Sequence, residues 1–533
     1  MWMESKLKEW IGRCNASQKA AFLTTFFVGL IGHLYIFTNI IPNFDGISRV
    51  YDEQQMTISG RWFLHYASML NWYTQMPMVI GVLSLLILAF SQAWAIRMFE
   101  VKSVLVAIVW GSMSVLFPAV ADTLTYTFTF SAYCVSFFLA TAAVSVTLHW
   151  KWGAIPGAVF LAFSMGIYQT YVTVAISLSV LLIIKSFLKE ESKTKDCLLM
   201  GMRFVIMLSG GTLLYFLILK IFLSVKQLKI LSYLGMENIV ENGYPISQLG
   251  NILWKTYLEV FGFFFKGEQG MNNTLFSLSN GLIIVATLVL LATVILQRGI
   301  QKNIIKMVGI VVLLLLLPVA VNFTQVMGPF SEPRLIMMYS FMYLYFLPLL
   351  LSENVIWEKM KRAFLCQGAC TVVLITMALH SIYFWEYDNL LYTLLDQAHR
   401  ATLSFVTNVV SRVESCEGYK KGMQVVVVGG FPSDRYDTQI PVYDVVKHQS
   451  ALTSSVIPLN KHIYYYMHDW INVPIYEPDE QIFIEISNSQ VFQEMPLYPD
   501  DGSVREIGGC IVVKMSNQFI GRSEYEKEYD KRR

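Results

Sequence analysis

The residues best suited to chemistry first appear between Asn43 and Leu70, directly after an apolar stretch. A carboxylate beside a membrane surface can act as a general base that takes a proton from an attacking hydroxyl group. Asp45 has this setting, because the segment behind it ends in an aromatic, half-apolar helix. Asp52 and Glu53 lie seven and eight residues further on, so they are separate groups. We interpret those two as solvated loop charges, whereas the setting of Asp45 leaves both a base and a solvated charge open.

A second carboxylate, Asp122, is the single charge between two apolar stretches, in the sequence PAVADTLTYTFTF. A lone charge at a membrane boundary has an energetic cost and therefore calls for a reason. Two explanations are open: Asp122 orients an acceptor or shares the work of the base, or it caps a turn. Tyr126, in the same turn, is a candidate substrate-binding residue.

Cations are needed where a donor leaves as a phosphate, and Arg suits this task because its planar fork grips two oxygens. Arg334, which follows Pro333 at the entrance of an apolar stretch, is the first candidate. Other candidates are more often snorkelling or headgroup-binding residues; they are Arg49, Arg61, Lys266 and His65.

Polar and aromatic side chains that suit sugar binding occur at IYQTY, where Gln169 lies between Tyr168 and Tyr171. A satisfied polar cluster at a helix break explains the same pattern equally well. The interfacial helix and the turn at Asp122 add three further substrate-binding candidates, which are Trp62, His65 and Tyr126.

Several reaction classes find no support in the sequence. It has no HExxH motif, no DxD pair in the first loop and no GxSxG motif, and its eight His residues are scattered. We therefore expect no metal site, no cofactor and no covalent serine intermediate. The net charge of +2 gives no reason to expect a nucleic-acid partner.

The elements that position these residues are membrane helices. Hydrophobic residues make up 55% of the chain and charged residues 15%. The apolar residues form blocks long enough to cross about 30 Å of hydrocarbon as helices. We predict a polytopic α-helical membrane protein, embedded among membrane lipids, with spans at 20–41, 76–96, 103–120, 130–148, 154–168, 170–188, 203–224, 276–297, 307–322, 335–355 and 364–384. This makes about eleven transmembrane helices, unless the pair around 166–171 is one broken helix.

Basic residues predict the orientation, since Lys and Arg accumulate in short cytoplasmic loops. They occur in the N-terminal segment and in alternate loops, which places the N-terminus in the cytoplasm. Residues 1–19 are then a cytoplasmic interfacial helix, 20–384 the membrane domain and 385–533 an extracytoplasmic domain. The outer loops of the membrane domain are 42–75, 121–129, 225–275 and 323–334.

The composition changes sharply after residue 384. The pattern predicts an amphipathic helix to about Ser411 and a buried strand and turn in MQVVVVGGF. A helix at Gln481–Phe492 and a second buried strand in GGCIVVKM follow. This order indicates a small α/β domain.

Five short motifs occur along most of the chain. They are NFDG at 43–46, SGRW at Ser59–Trp62, ADTLTY at Ala121–Tyr126, IYQTY at Ile167–Tyr171 and GYKKGMQVVVVGG at Gly418–Gly430. Their order and placement resemble the serotype-converting O-antigen glucosyltransferases, the type II glucosyltransferase family. That family is similar to the GT-C superfamily of multi-span glycosyltransferases.

The resemblance implies a donor, an acceptor and a mechanism. Glucose would move from undecaprenyl-phosphate glucose, a polyprenyl-phosphate sugar, to a lipid-linked glycan of the O-antigen type. Transfer would occur on the outer face of the bacterial inner membrane, with the C-terminal domain in the periplasm. It would be a direct displacement that inverts the anomeric centre, with Asp45 as base. The chain departs from the family at Gly46, where a second Asp is common, and this gives more weight to Asp122.

Other functions remain open on the sequence. A transporter or flippase of lipid-linked glycans would share the many spans, and so would a glycan polymerase or a GT-C enzyme for another sugar. Coupled transporters usually carry ionisable residues at mid-membrane depth, where this chain has only Lys220 and His33. Carboxylates at the outer ends of the spans favour catalysis.

Overall fold

The structure is a computed structural model that describes residues 12, 14–47, 56–230, 245–267, 273–329, 334–357, 363–429, 457 and 460–517. This part of the chain is mostly helical. Its α-helices are α1 Ala16–Gly32, α2 Leu34–Thr38, α3 Leu64–Ala67, α4 Pro77–Met98, α5 Val104–Leu116, α6 Pro118–Leu124, α7 Phe130–His149, α8 Ala154–Ile167, α9 Val172–Leu188, α10 Thr194–Val225, α11 Leu249–Phe261, α12 Thr274–Gln297, α13 Ile304–Val321, α14 Phe323–Met327, α15 Tyr343–Glu353, α16 Ala363–Glu414, α17 Asn460–Tyr465, α18 Glu480–Ser487 and α19 Gln490–Glu494. The strands are β1 Val425–Val428, β2 Val504–Ile507 and β3 Cys510–Lys514.

Seven helices of the described residues are long and apolar enough to cross a membrane, and eight if the bent pair α5 and α6 forms one span. This agrees with a helical membrane protein, whereas the predicted number of eleven spans is not confirmed. The seven helices are Pro77–Met98, Phe130–His149, Gln169–Leu188, Thr194–Val225, Thr274–Gln297, Ile304–Val321 and Phe364–Glu414.

Three predicted spans contain shorter helices than expected. The span at 20–41 is divided between the 17-residue α1 and the short α2, which meet at His33. The span at 335–355 contains the 11-residue α15 behind two 3₁₀ turns. The span at 154–168 is α8, which at about 1.5 Å per residue covers only about 21 Å. After α8 the chain breaks at Tyr168, whose backbone is extended, and a 3₁₀ turn leads into α9.

The bend between α5 and α6 measures 45°. Phe117, between the two helices, has an extended backbone and is the N-cap of α6. Pro118 then occupies the first helical position, where its missing N–H costs no hydrogen bond. The bend therefore turns the segment that carries Asp122 away from the axis of α5.

Helices α7, α8 and α10 approach one another closely through glycines. A Cβ atom on Gly157 would lie 2.3 Å from the hydroxyl oxygen of Thr147 in α7. A Cβ atom on Gly211 would lie 2.9 Å from the Cβ of Leu161 in α8. Small residues allow such close contact between helices in a membrane. This packing holds the break at Tyr168 in place, since α8 ends there.

Helix α16 is a single helix of 52 residues, about 78 Å long at 1.5 Å per residue. The sequence predicts a span to residue 384 and a separate amphipathic helix beyond it. The two are continuous because no Gly or Pro occurs between Ala369 and Glu414 to end the helix. The predicted domain boundary at 384/385 thus lies inside one rigid element.

The sheet near the C-terminus has the strand order β1-β3-β2. β1 pairs in parallel with β3, and β2 pairs antiparallel with β3. Gly508 and Gly509 join β2 to β3 with φ of 61° and 82°, as a two-residue hairpin of this kind requires. The strand β2 was not predicted, because VREI is short and half charged. The predicted helix Gln481–Phe492 is divided into α18 and α19, since Ser489 caps α19.

We expect Gly211→Ala to lower the free energy of unfolding by about 1–3 kcal/mol, because the added methyl group overpacks the contact with α8. The matched control is Gly210→Ala, whose Cβ would lie at an ordinary 3.5 Å from Ala158. Thermal unfolding in detergent compares the two variants. Equal unfolding temperatures would contradict the close contact.

Candidate active site

The loop that carries Asp45 is fixed to the helix bundle by side-chain amides. Asn43 donates from its amide nitrogen to the Thr125 carbonyl at 3.2 Å and accepts from the Gly46 N–H at 2.8 Å. Gln75 donates to the Gly46 carbonyl at 3.0 Å. Asp45 itself is exposed. The loop therefore presents this carboxylate beside the turn that follows α6.

Gly46, where the family commonly has an acid, lies in a crowded position. A Cβ atom there would lie 3.1 Å from the Phe128 ring and 3.3 Å from the side-chain oxygen of Asn43. A larger side chain would have to displace one of these two groups. Gly46 thus leaves little room for a side chain in this loop.

Asp122 lies inside α6 and is fully buried. Because the N-cap of α6 is Phe117, Asp122 does not cap the start of this helix. Both predicted carboxylates act on Tyr126. Burial raises the pKa of Tyr126 well above its ordinary value, and the negative charges of Asp45 and Asp122 raise this pKa further. The two acids therefore share one neighbourhood, one exposed and one buried.

Three tyrosines and an arginine adjoin these acids. The rings of Tyr133 and Tyr168 are stacked at 4.7 Å, and Tyr171 lies 5.8 Å from Tyr168. The Arg61 guanidinium covers the Tyr168 ring at 4.7 Å and donates to the Tyr133 hydroxyl at 3.3 Å. Tyr133 and Tyr168 also act electrostatically on Tyr126. We call this group the two-carboxylate cluster; its members are Asp45, Asp122, Tyr126, Tyr133, Tyr168, Tyr171 and Arg61.

Gln169 forms hydrogen bonds next to this cluster. Its amide donates to the Ser59 carbonyl at 2.9 Å and to the Tyr215 hydroxyl at 3.1 Å. Tyr215 in turn donates to the Gly60 carbonyl at 3.0 Å. These bonds fix the backbone just before Arg61 to the break between α8 and α9. Gln169 thus has the bonding of a satisfied polar cluster at a helix break.

The other aromatic candidates lie in packing contacts. Trp62 is buried, stacks on Phe222 at 5.7 Å and closes against Gly166. His65 is stacked on Tyr73 at 5.3 Å. Both side chains belong to the segment that holds Arg61, and their predicted contact with substrate remains a prediction.

The predicted phosphate-binding cations lie on elements that pack near α6. Arg334 is exposed and begins the 3₁₀ turn Leu335–Met337, which contacts α6. Lys266 ends the π-turn Gly262–Lys266 with its ammonium group 5.9 Å from the Phe261 ring. Phe263 of the same turn packs 5.8 Å from Phe117 at the bend. Arg49, Asp52 and Glu53 lie outside the described residues.

A buried polar group on the other side of α6 was missed by the sequence analysis. The His33 ring bonds the Tyr392 hydroxyl and the Val115 carbonyl, each at 2.8 Å. Since a carbonyl only accepts, His33 Nε2–H donates to Val115 and Nδ1 accepts from Tyr392. Asp388 lies one turn before Tyr392, and its charge and that of Asp122 both reach the Tyr392 hydroxyl.

Asp388 is fully buried, and neither of its oxygens has a hydrogen-bond partner within the described part of the chain. The predicted span ended at 384, so this residue was assigned to the outer helix. Its position four residues from both Phe384 and Tyr392, on the apolar face of α16, was the available signal.

Comparison with known proteins identifies the family of this chain. The family model described as glucosyl transferase GtrII matches residues 34–345, which is more than half of the chain. The chain therefore belongs to the type II O-antigen glucosyltransferase family and is a glycosyltransferase. The match contains every member of the two-carboxylate cluster and ends before α16. No curated protein and no solved structure matches the chain.

We expect Gly46→Asp to lower activity rather than raise it, although it adds the acid that is common in the family. The new side chain must displace Phe128 or Asn43, which costs about 1–3 kcal/mol. Adding Phe128→Leu to this variant makes room and should recover part of the lost kcat. A higher kcat for Gly46→Asp alone than for the natural chain would contradict the steric explanation.

We expect Asp388→Leu to raise the free energy of unfolding by about 1–3 kcal/mol, because it removes a buried carboxyl group with no hydrogen-bond partner among the described residues. The control is Asp396→Leu in the same helix, which removes the bond from the Tyr35 hydroxyl and the pair with Arg400. That variant should not be stabilised. Thermal unfolding of both variants in detergent provides the measurement.

Proposed function

We propose that this glucosyltransferase moves glucose from undecaprenyl-phosphate glucose to a lipid-linked surface glycan of the O-antigen type. The reaction takes place on the outer face of the bacterial inner membrane, with the N-terminus cytoplasmic and the C-terminal residues periplasmic. Family membership supports the transfer of glucose. The observation that carries the proposal is that Asn43 bonds the Thr125 carbonyl, which holds the loop of the exposed Asp45 against the turn that follows the buried Asp122.

The reaction is an inverting displacement. An acceptor hydroxyl attacks the anomeric carbon of glucose, the bond from that carbon to the phosphate oxygen breaks, and undecaprenyl phosphate leaves. Asp45 receives the proton of the hydroxyl. Asp45 suits this role because its carboxylate is exposed and can come within hydrogen-bond reach of an incoming glycan.

Asp122 has a different role because it is buried. Burial keeps the Tyr126 phenol protonated, and the negative charge of the buried Asp122 further opposes the loss of its proton. The protonated Tyr126 hydroxyl is then available as a donor to a sugar oxygen. Two carboxylates in unlike surroundings thus take separate roles, as is common in enzymes with paired acids.

The donor binds between the aromatic rings and the cations. The stacked rings of Tyr133 and Tyr168 offer a flat apolar surface to the glucose ring, and Tyr171 extends it. Arg61 is held in place by Tyr133 and Tyr168 and supplies a fixed positive charge. Arg334, exposed on the turn against α6, binds the phosphate as it leaves.

Transfer from synthetic undecaprenyl-phosphate glucose to purified lipid-linked glycan tests the base. We expect Asp45→Asn to lower kcat about 10²- to 10⁴-fold with little change in donor KM, because an amide cannot accept the proton. Asp52→Asn, which changes a carboxylate of the same loop, is the matched control and should keep kcat. Undiminished transfer by Asp45→Asn would remove this residue from the mechanism.

Arg334→Ala should raise the donor KM, and Arg334→Lys should recover part of the affinity, because Lys keeps the charge but not the two-pronged geometry. Lys266→Ala serves as the comparison, since its ammonium group lies over Phe261. A larger effect at Lys266 would move the phosphate site to the π-turn. The same assay with mannose and pentose donors shows which sugar the enzyme prefers.

A further inference from the structure

A residue of the first loop is part of the core of the C-terminal unit, by which we mean residues 405–429 and 457–517 as far as they are described. Ile47 is fully buried, and it belongs to a hydrophobic cluster whose other members all come from this unit. These partners include Val406, Val409, Tyr464 and Met467. Ile47 lies two residues after Asp45, so the candidate base is next to a residue anchored in a distant part of the chain.

A hydrogen bond strengthens the same contact. The Trp470 indole N–H donates to the Ile47 carbonyl at 3.0 Å. Trp470 is itself held by ring contacts, with Tyr466 at 6.2 Å and with His399 of α16 at 5.4 Å. The Tyr466 hydroxyl bonds the His399 ring at 3.1 Å. The loop carbonyl is thus tied to the long helix through two aromatic rings.

The loop is therefore held from both sides of Asp45. On the near side, Asn43 ties it to the membrane bundle through the Thr125 carbonyl, and Gln75 adds a second tie at the Gly46 carbonyl, directly after Asp45. On the far side, Ile47 is tied to the C-terminal unit. The helix α16 connects the membrane bundle to the C-terminal unit. Near the middle of this helix, Asn389 donates to the Gly32 carbonyl at 3.1 Å, which fixes the helix to the bundle.

We infer that the C-terminal unit is part of the active site, with Trp470 as a positioning residue that sets the place of the Asp45 carboxylate. The inference rests on the proposed role of Asp45 as base. Proton transfer requires hydrogen-bond reach, and a misplacement of about 1 Å can cost about a hundredfold in rate. A single bond to the neighbouring backbone therefore has a large effect on kcat and a small effect on the binding of the donor.

Trp470→Phe tests the inference, because it removes the N–H and keeps an aromatic ring against Tyr466 and His399. We expect kcat to fall about 10- to 100-fold with an unchanged donor KM. The control is Ser489→Ala, which removes the hydroxyl that caps α19 and accepts from the Phe492 N–H at 3.3 Å inside the same unit. It should lower the unfolding temperature of the unit and leave kcat unchanged. Ile47→Val, which trims the anchor but keeps the Trp470 bond, should give a smaller fall in kcat.

A double-mutant cycle separates positioning from general stability. In an Asp45→Asn background, Trp470→Phe should lower kcat no further, because there is no base left to position. If Asp45→Asn lowers kcat but Trp470→Phe keeps full kcat, the inference about Trp470 is wrong and the proposed base stands. An equal fall for Ser489→Ala also overturns it. Full kcat for Asp45→Asn overturns the proposed base and the inference together.

A separate observation concerns a groove between α1, α4 and α7. It has a volume of about 1030 Å³ and mostly apolar walls, which include Phe22, Phe90, Trp94 and Phe138. Lys19 and Arg97 line the same groove near the ends of α1 and α4 that are predicted to be cytoplasmic. Both are exposed, and neither forms an ion pair with another described residue. None of the described residues lining the groove is acidic.

We infer that this groove binds one molecule of an anionic phospholipid, with its phosphate at Lys19 and Arg97 and an acyl chain along the apolar wall. Two cations beside an apolar channel match a negative headgroup on a hydrocarbon tail, and such basic pockets between membrane helices select anionic lipids. This site is independent of sugar transfer.

Native mass spectrometry of the full chain with phosphatidylglycerol and phosphatidylcholine tests the lipid site. We expect tighter retention of phosphatidylglycerol by the natural chain and a loss of about tenfold in Lys19→Gln/Arg97→Gln. Lys151→Gln/Lys195→Gln removes the same charge from other exposed positions and should retain the lipid. Equal retention of both lipids, or an equal loss in the control, overturns the inference. Displacement of the lipid by inorganic phosphate alone would show that the acyl chain contributes nothing, and would also overturn it.

Discussion

The missing N–H of Pro118 is the constraint on which the arrangement of the site depends. A membrane helix that continued straight past Phe117 would carry Asp122 onward along its own axis. Because proline starts a new helix instead, α6 turns by 45° and becomes a short platform. The 3₁₀ turn at Leu335–Met337, the helix α16 and the turn that receives the Asn43 amide all meet this platform. The elements that carry Asp45 and Arg334 thus both lie against the short helix that carries Asp122.

The two carboxylates near this platform differ in hydration, and that difference separates their roles. Asp45 is exposed, which suits the proposed transfer of a proton from a hydroxyl group of the acceptor. Asp122 is buried, so its negative charge acts on the neighbouring Tyr126 rather than on groups in solvent. Asp388, on α16, is a second enclosed carboxyl group. Such concentrations of buried charge are costly to the fold and are typical of sites under functional constraint.

Much of the cluster could be predicted from sequence because its members lie at the ends of consecutive apolar segments. Asp45, Asp122, Tyr126 and Tyr168 each interrupt or end such a segment, so chain order alone brings them to one side. Tyr133 could not be found in this way, since it lies within an apolar helix and has no distinguishing neighbour. Its function depends on a stacking partner, Tyr168, that only the fold supplies.

Long-range contacts were beyond the reach of sequence patterns for a related reason. Ile47 reads as an ordinary apolar loop residue, and its place in a core more than 350 residues away depends on tertiary packing alone. The predicted span ended before Asp388 because hydropathy ends a span where charges begin, whereas a helix ends only where its backbone bonds end. The absence of Gly and Pro after Ala369 was the signal for a continuous helix.

The unbroken course of α16 restricts how this chain can change over evolution. Each residue of a helix adds about 1.5 Å of length and about 100° of rotation. A single insertion between Asn389 and His399 would therefore turn His399, and Trp470 with it, away from the loop that carries Asp45. Loops tolerate insertions and deletions, but a continuous helix fixes both the distance and the relative rotation of the residues it connects. Its residue count is thus as much a part of the site as the side chains that face the substrate.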